Sequence, residues 1–171
     1  VASLVDRIWP ERPAPRNGPI EFLGHNRAGR TAPDKLDEIR AAMGEDGADA
    51  LVLTVPESIN WLFNLRGRDV PHVPVALCFA LVPKSGMPTL FFSKEKITPD
   101  LRKGLEGLAK VADAATMIAA LRKLGAADKR VMIDPGTVPV AIASAISGVS
   151  DAVLIEKRDP VLLPKARKND A

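Results

Sequence analysis

Val75-Ala76-Leu77-Cys78-Phe79-Ala80-Leu81-Val82 is the longest unbroken apolar run of the chain, and Pro74 and Pro83 bracket it. A strand with one wet face alternates apolar and polar residues. This run does not, so it predicts a strand covered on both faces. It falls far short of the ~20 apolar residues that a membrane-spanning helix requires. A strand of that kind belongs inside a sheet with helices packed above and below it. The turn residues Pro83-Lys84-Ser85-Gly86-Met87-Pro88 and the apolar Thr89 to Ser93 then predict an antiparallel hairpin partner.

Other elements fall on either side of that hairpin. Thr31 is a good N-cap, with Pro33 in the first turn and Asp34 at capping-box distance. Leu36, Ile39, Arg40 and Met43 give helical spacing with one apolar face, and Gly44 or Gly47 ends it. Ala50 to Thr54 predicts a short strand, and Pro56 to Asn64 a short helix with Ile59, Leu62 and Phe63 inward. After the hairpin, Thr98-Pro99-Asp100 starts a helix reaching about Leu108. Lys110 to Ala112 predicts a weak strand, and Ala114 to Leu124 a helix stopped at Gly125. Lys129 to Asp134 follows as a strand, Val138 to Ile146 as a helix and Asp151 to Glu156 as the last strand. The expected fold is α/β, with a mixed, about six-stranded sheet flanked by helices.

At 171 residues the chain is long enough to bury a real core. Acids and bases are interspersed at a net charge of +3, and Tyr is absent, so no nucleic-acid surface is expected. Cys78 is the one cysteine, which excludes an internal disulfide and fits a reducing, cytosolic compartment. Residues 1–30 read as a proline-rich linker, because Pro10, Pro13, Pro15 and Pro19 favour an extended path. Leu4 to Trp9 is expected to make one apolar turn, with Trp9 pinning the arm to the domain. The chain opens at Val1 without an initiator Met and closes on the charged Lys165 to Ala171; both ends read as cuts in something longer.

Candidate chemistry is sparse. Gly24-His25-Asn26-Arg27-Ala28-Gly29-Arg30-Thr31 comes close to a phosphate-binding P-loop but has Arg30 where that motif needs lysine. Asp134 would be a loosely suitable magnesium acid for it. The N-cap reading of Thr31 is preferred, because Ile20 to Leu23 is a poor first strand. Metal sites lack ligands: His25 and His72 stand far apart in sequence and Cys78 is alone. Asp134 and Asp151 read as turn or cap residues. No serine lies in a nucleophile elbow. No self-sufficient active site is expected. Asn64, Arg66, Asp69 and His72 remain, a dense set of polar side chains on a loop stiffened by Pro71 and Pro74. Two readings stand: a ligand-facing loop, or Arg66 and Asp69 paired with each other while Asn64 caps the helix and His72 faces solvent.

Trp61-Leu62-Phe63-Asn64-Leu65-Arg66-Gly67-Arg68-Asp69-Val70-Pro71-His72-Val73-Pro74-Val75 resembles the middle-domain signature of three-domain Xaa-Pro aminopeptidases (aminopeptidase P, in the creatinase and prolidase group). Leu4 to Trp9 with its following prolines, Ala28-Gly29-Arg30-Thr31, Asp134-Pro135-Gly136-Thr137 and Asp159 to Asn169 are similar to further parts of that group. The resemblance implies a creatinase N-terminal fold of ribonuclease H-like topology. It also implies a division into linker (1–30), domain (31–158) and the start of a junction (159–171) to a catalytic domain outside the chain. That domain would carry the divalent metals, two ions and manganese by expectation, and none would bind here. The parent would be a cytoplasmic homo-oligomer that removes an N-terminal residue preceding proline from peptides. This chain would be a non-catalytic part that helps shape the substrate cleft and subunit contacts, with Asn64, Arg66, Asp69 and His72 as candidate substrate-binding residues. Val73 departs from the polar residue often found there. The alternatives are a stand-alone binding domain on the same scaffold, or a P-loop-like nucleotide binder.

Overall fold

The computed structural model describes residues 4–13, 16–148 and 152–167. Val1, Pro15, Asp151 and residues 168–171, all named in the expectations above, lie outside them. Eight strands are described: β1 (Glu21–Phe22), β2 (Ala50–Leu53), β3 (Leu65–Arg66), β4 (Phe79–Pro83), β5 (Thr89–Phe92), β6 (Lys110–Asp113), β7 (Val131–Ile133) and β8 (Leu154–Glu156). The helices are α1 (Leu4–Ile8), α2 (His25–Ala28), α3 (Ala32–Glu45), α4 (Pro56–Leu62), α5 (Pro99–Gly104), α6 (Met117–Ala126), α7 (Val140–Ser147) and α8 (Leu162–Ala166).

Six strands form one mixed sheet in the order β6-β5-β4-β2-β7-β8. β4 pairs antiparallel with both β2 and β5, while β2 with β7, β7 with β8, and β5 with β6 run parallel. The period of two along each strand splits its side chains between two cores. Leu51, Leu53, Ala80, Val82, Leu90, Phe92 and Met132 pack with α3, α4 and α5. Val52, Phe91, Val131 and Ile133 pack with α6 and α7. Each buried Leu, Val, Ile, Phe or Met side chain among them stabilises the fold by roughly 1.5–3 kcal/mol. α6 and α7 approach closely at Gly125, where a Cβ would come within 2.3 Å of the Ile146 carbonyl oxygen.

The six-stranded expectation holds, and so does the hairpin of β4 with β5. Thr31 caps α3 as expected, its Oγ1 accepting from the Asp34 amide. Several boundaries differ. Only the second half of the 75–82 run is strand; residues 75–78 are irregular although mostly buried. α5 stops at Gly104, because tight turns and Gly107, at φ +73°, lead the chain into β6. A 3-10 turn capped by Asp113 precedes α6. Trp9, expected to pin the arm, is 54% exposed and belongs to neither core cluster. The arm is held further along, where β1 pairs antiparallel with β3 in a separate two-stranded ribbon.

Candidate functional site

α4 organises the site. Pro56 starts it without needing a backbone donor, and Glu57 in its first turn complements the helix dipole. It ends where Asn64 turns left-handed, at φ 54°, a conformation that asparagine tolerates better than most residues. The chain reverses into β3, burying Leu65 and leaving Arg66 exposed. Gly67 then passes so close to residue 76 that a Cβ would sit 2.5 Å from the Ala76 nitrogen. Pro71 and His72 form the turn between the facing residues Val70 and Val73, with His72 at φ 64°.

Within the irregular segment 75–78, side chains take over the backbone partners of Ala76 and Leu77. The Asn60 amide accepts from the Ala76 N–H at 2.9 Å and donates back to the Ala76 carbonyl at 2.9 Å. Asp69 accepts from the Leu77 N–H at 2.7 Å and from the Gly18 N–H at 3.1 Å. Lys96 completes this latch, 2.6 Å from Asp69 and 2.8 Å from the Gly18 carbonyl. Both Asp69 and Lys96 are buried. Cys78 lies near them with its thiol pushed well above the ordinary range, by burial first and by Asp69 second. It is an inert core residue.

The four expected residues therefore separate. Asp69 pairs with Lys96, which corrects the alternative in which it pairs with Arg66, and it lines neither of the two clefts described here. Asn64 is half-buried and fully engaged, accepting from Lys35 Nζ at 2.5 Å and donating to the Arg30 carbonyl at 2.9 Å. Arg66 lines two adjoining clefts, one of about 440 Å³ toward α4 and α8, the other of about 660 Å³ toward the Pro71-His72 turn. His72 is exposed and lines only the second.

Sequence reasoning missed several lining residues of the first cleft. Lys35 is 2% exposed, bonds the Trp61 carbonyl at 2.9 Å and lies 4.3 Å from the Trp61 ring centroid. Its pKa is lowered to about 8, chiefly because burial disfavours the cation and then because Arg30 and Arg66 lie nearby. The spacing did hold a signal, since Lys35 falls on the buried stripe of Ala32, Leu36, Ile39 and Met43. Arg27, Lys165 and Arg167 also line this cleft, with Glu57 as its one acid. Among the described residues, none of Arg27, Arg66, Lys165 and Arg167 has an ion pair or a side-chain hydrogen bond.

The P-loop reading meets competing geometry, because the Thr31 hydroxyl donates to Asp34 and the Arg30 guanidinium pairs with Glu38 at 2.6 Å. Asp134 behaves as a turn residue, accepting from the Gly136 and Asp159 amides. Among the described residues no group of three or more His, Cys, Asp and Glu is placed to hold a metal ion. No helix among the described residues is long and apolar enough to cross a membrane.

The family model of the creatinase/prolidase N-terminal domain matches residues 11–171. Xaa-Pro aminopeptidase 1 of Dictyostelium discoideum is 33% identical over 156 residues, covering 91% of this chain and 24% of that protein. A probable Xaa-Pro aminopeptidase P of Arthroderma gypseum is 30% identical, over 98% of this chain and 27% of its own length. The chain thus spans about a quarter of the length of the curated relatives it matches. Among solved structures, the X-prolyl aminopeptidase of Caenorhabditis elegans, described as a cytosolic enzyme with a di-nuclear active site, superposes with a TM-score of 0.88. It is 26% identical, and the match covers 99% of this chain and 28% of that one. The N-terminal domain of the cytoplasmic peptidase PepQ from Mycobacterium tuberculosis shares the fold, with a TM-score of 0.57 at 15% identity over 75% of this chain and 95% of that one. The chain belongs to the creatinase/prolidase N-terminal domain family, in the form found within Xaa-Pro aminopeptidases.

Proposed function

We propose that this chain is a non-catalytic domain of a metal-dependent Xaa-Pro aminopeptidase and that it forms one wall of the substrate cleft. The reaction is removal of an N-terminal residue that precedes proline. Its divalent metals, two ions with manganese as the assignment, belong to a separate catalytic domain of the same protein. The nematode relative described as cytosolic and di-nuclear supports both the metal count and a cytosolic parent. Residues 1–30 serve as the linker, 31–158 as the domain and 159–171 as the junction to the catalytic part. The assembled enzyme is a homo-oligomer, to whose subunit contacts this domain contributes.

The observation that carries this reading is the presentation of Arg66. Its guanidinium is exposed, lacks a partner among the described residues and stands at the shared wall of two clefts. The loop beneath it is fixed by Asn60, Asp69 and the close passage of Gly67. A rigid loop holds such a group ready with little entropy left to lose on binding. Asn64 supports the floor of the cleft and His72 guides the outer end of the peptide. Asp69 acts from beneath by holding the loop, a positioning role. The test is Arg66→Ala in the full-length aminopeptidase. About a tenfold fall in kcat/KM for an X-Pro peptide is expected for loss of a charged hydrogen bond. An unchanged kcat/KM removes Arg66 from the cleft wall.

A further inference from the structure

The first cleft carries a charge imbalance that the fold itself does not resolve. Elsewhere near this face three cations are matched: Arg30 with Glu38, Arg68 with Glu21 and Lys96 with Asp69. Around the cleft, Arg27 on α2, Arg66 on β3 and Lys165 and Arg167 at α8 meet one acid, Glu57. Three separate segments of chain supply these cations, so the imbalance is not the accident of a single basic run. The second observation is Lys35 at the floor. It is buried among neutral acceptors only, Trp61 O and Asn64 Oδ1, with a ring face beside it. Its pKa is lowered chiefly by burial, and Arg66 of the cleft adds to the effect after Arg30.

We propose that this cleft is a carboxylate-binding site, in which Arg66 and Arg27 grip the anion and Lys35 balances it from below. Guanidinium groups present paired N–H donors that match the two oxygens of a carboxylate. The volume of about 440 Å³ suits a dipeptide-sized group. The carboxylate has two possible sources, the free C-terminus of a peptide and an Asp or Glu side chain from elsewhere in a longer protein. The assignment rests on the cleft-wall reading for that source, while the affinity of the cleft for carboxylate is a property of this chain alone.

The experiment titrates the 171-residue chain with acetyl-Ala-Ala as the free acid, the same peptide as its C-terminal amide, acetyl-Ala-Glu-Ala-amide and inorganic phosphate. NMR of the Lys35 ε-carbon is the readout. The free acid is expected to bind with an affinity on the order of millimolar and to raise the Lys35 pKa from about 8, while the neutral amide does neither. Equal binding by the glutamyl amide also supports the site and assigns the carboxylate to a side chain. The doubly substituted Arg27→Gln, Arg66→Gln chain changes only exposed positions, so its folding is not at issue. It is expected to lose affinity by about tenfold or more. Three results overturn the proposal: no response of Lys35 to any carboxylate at roughly tens of millimolar, equal binding of the neutral amide, or phosphate binding more than about tenfold tighter than either carboxylate. A failure here leaves the kinetic test of Arg66 standing, and an unchanged kcat/KM leaves this binding standing.

Discussion

Two buried lysines in this domain have opposite surroundings. Lys96 reaches a buried carboxylate, Asp69, and a main-chain carbonyl, and so closes a latch between the arm at Gly18 and the loop before β4. Lys35 reaches a carbonyl and an amide oxygen, with Arg30 and Arg66 as its nearest perturbing charges. The first region is saturated and holds the fold together. The second is held in place by the fold but remains short of negative charge. The stabilising lysine and the lysine of the proposed binding cleft are thus separate, reached from the two ends of one loop.

The sharpest way to break this contrast is Asp69→Ala. It leaves Lys96 buried without a counter-ion and strips partners from Gly18 and Leu77, so a loss of about 3–5 kcal/mol is expected in urea unfolding. A loss below about 1 kcal/mol would show that the latch is not structural. Asn60→Ala comes next, because it exposes the main chain at Ala76 to a dry environment; about 1–3 kcal/mol is expected by the same measurement.

Lys35→Met tests the other pole through its pH dependence. The native pKa of about 8 lies below the ordinary 10.5, so between those values the unfolded chain holds a proton that the native chain has released. Stability of the parent chain then rises with pH across that window, by at most about 1.4 kcal/mol per pH unit, and Lys35→Met should abolish the rise. Cys78 acts in the opposite direction: its raised native pKa lets only the unfolded thiol ionise above its ordinary 9.0, which lowers stability there. A Cys78→Ala background isolates the lysine. Smallest of all is Arg66→Gln, which should leave unfolding within about 0.5 kcal/mol while raising the pKa of Lys35. An unmoved Lys35 would disconnect the cleft cations from its floor.

Much of the sheet was legible because β2 and β7 are buried on both faces and the β4–β5 hairpin carries ordinary turn chemistry. The ribbon of β1 and β3 was not, since two-residue strands with mostly exposed side chains have no period to read. Residues 75–78 misled for a different reason. Their apolar side chains fit a strand, but the main chain of Ala76 and Leu77 bonds the Asn60 and Asp69 side chains, brought there from other segments. Of the site, the loop was visible as a polar cluster, whereas the division of labour within it was not. Gly67's approach to Ala76 accompanies the inward turn of Asp69 toward Lys96, a partner far along the chain. Lys35 was hidden by its neighbours, a cation read as part of an apolar stripe.

The sheet order also sets a timetable for a chain that emerges from the ribosome N-terminus first. β4, β5 and β6 can assemble onto β2 while the remaining third of the chain is still being made, but the other edge of β2 waits for β7, made much later. Until then the nascent domain carries an open apolar edge at its centre, the kind of surface that holding chaperones cover.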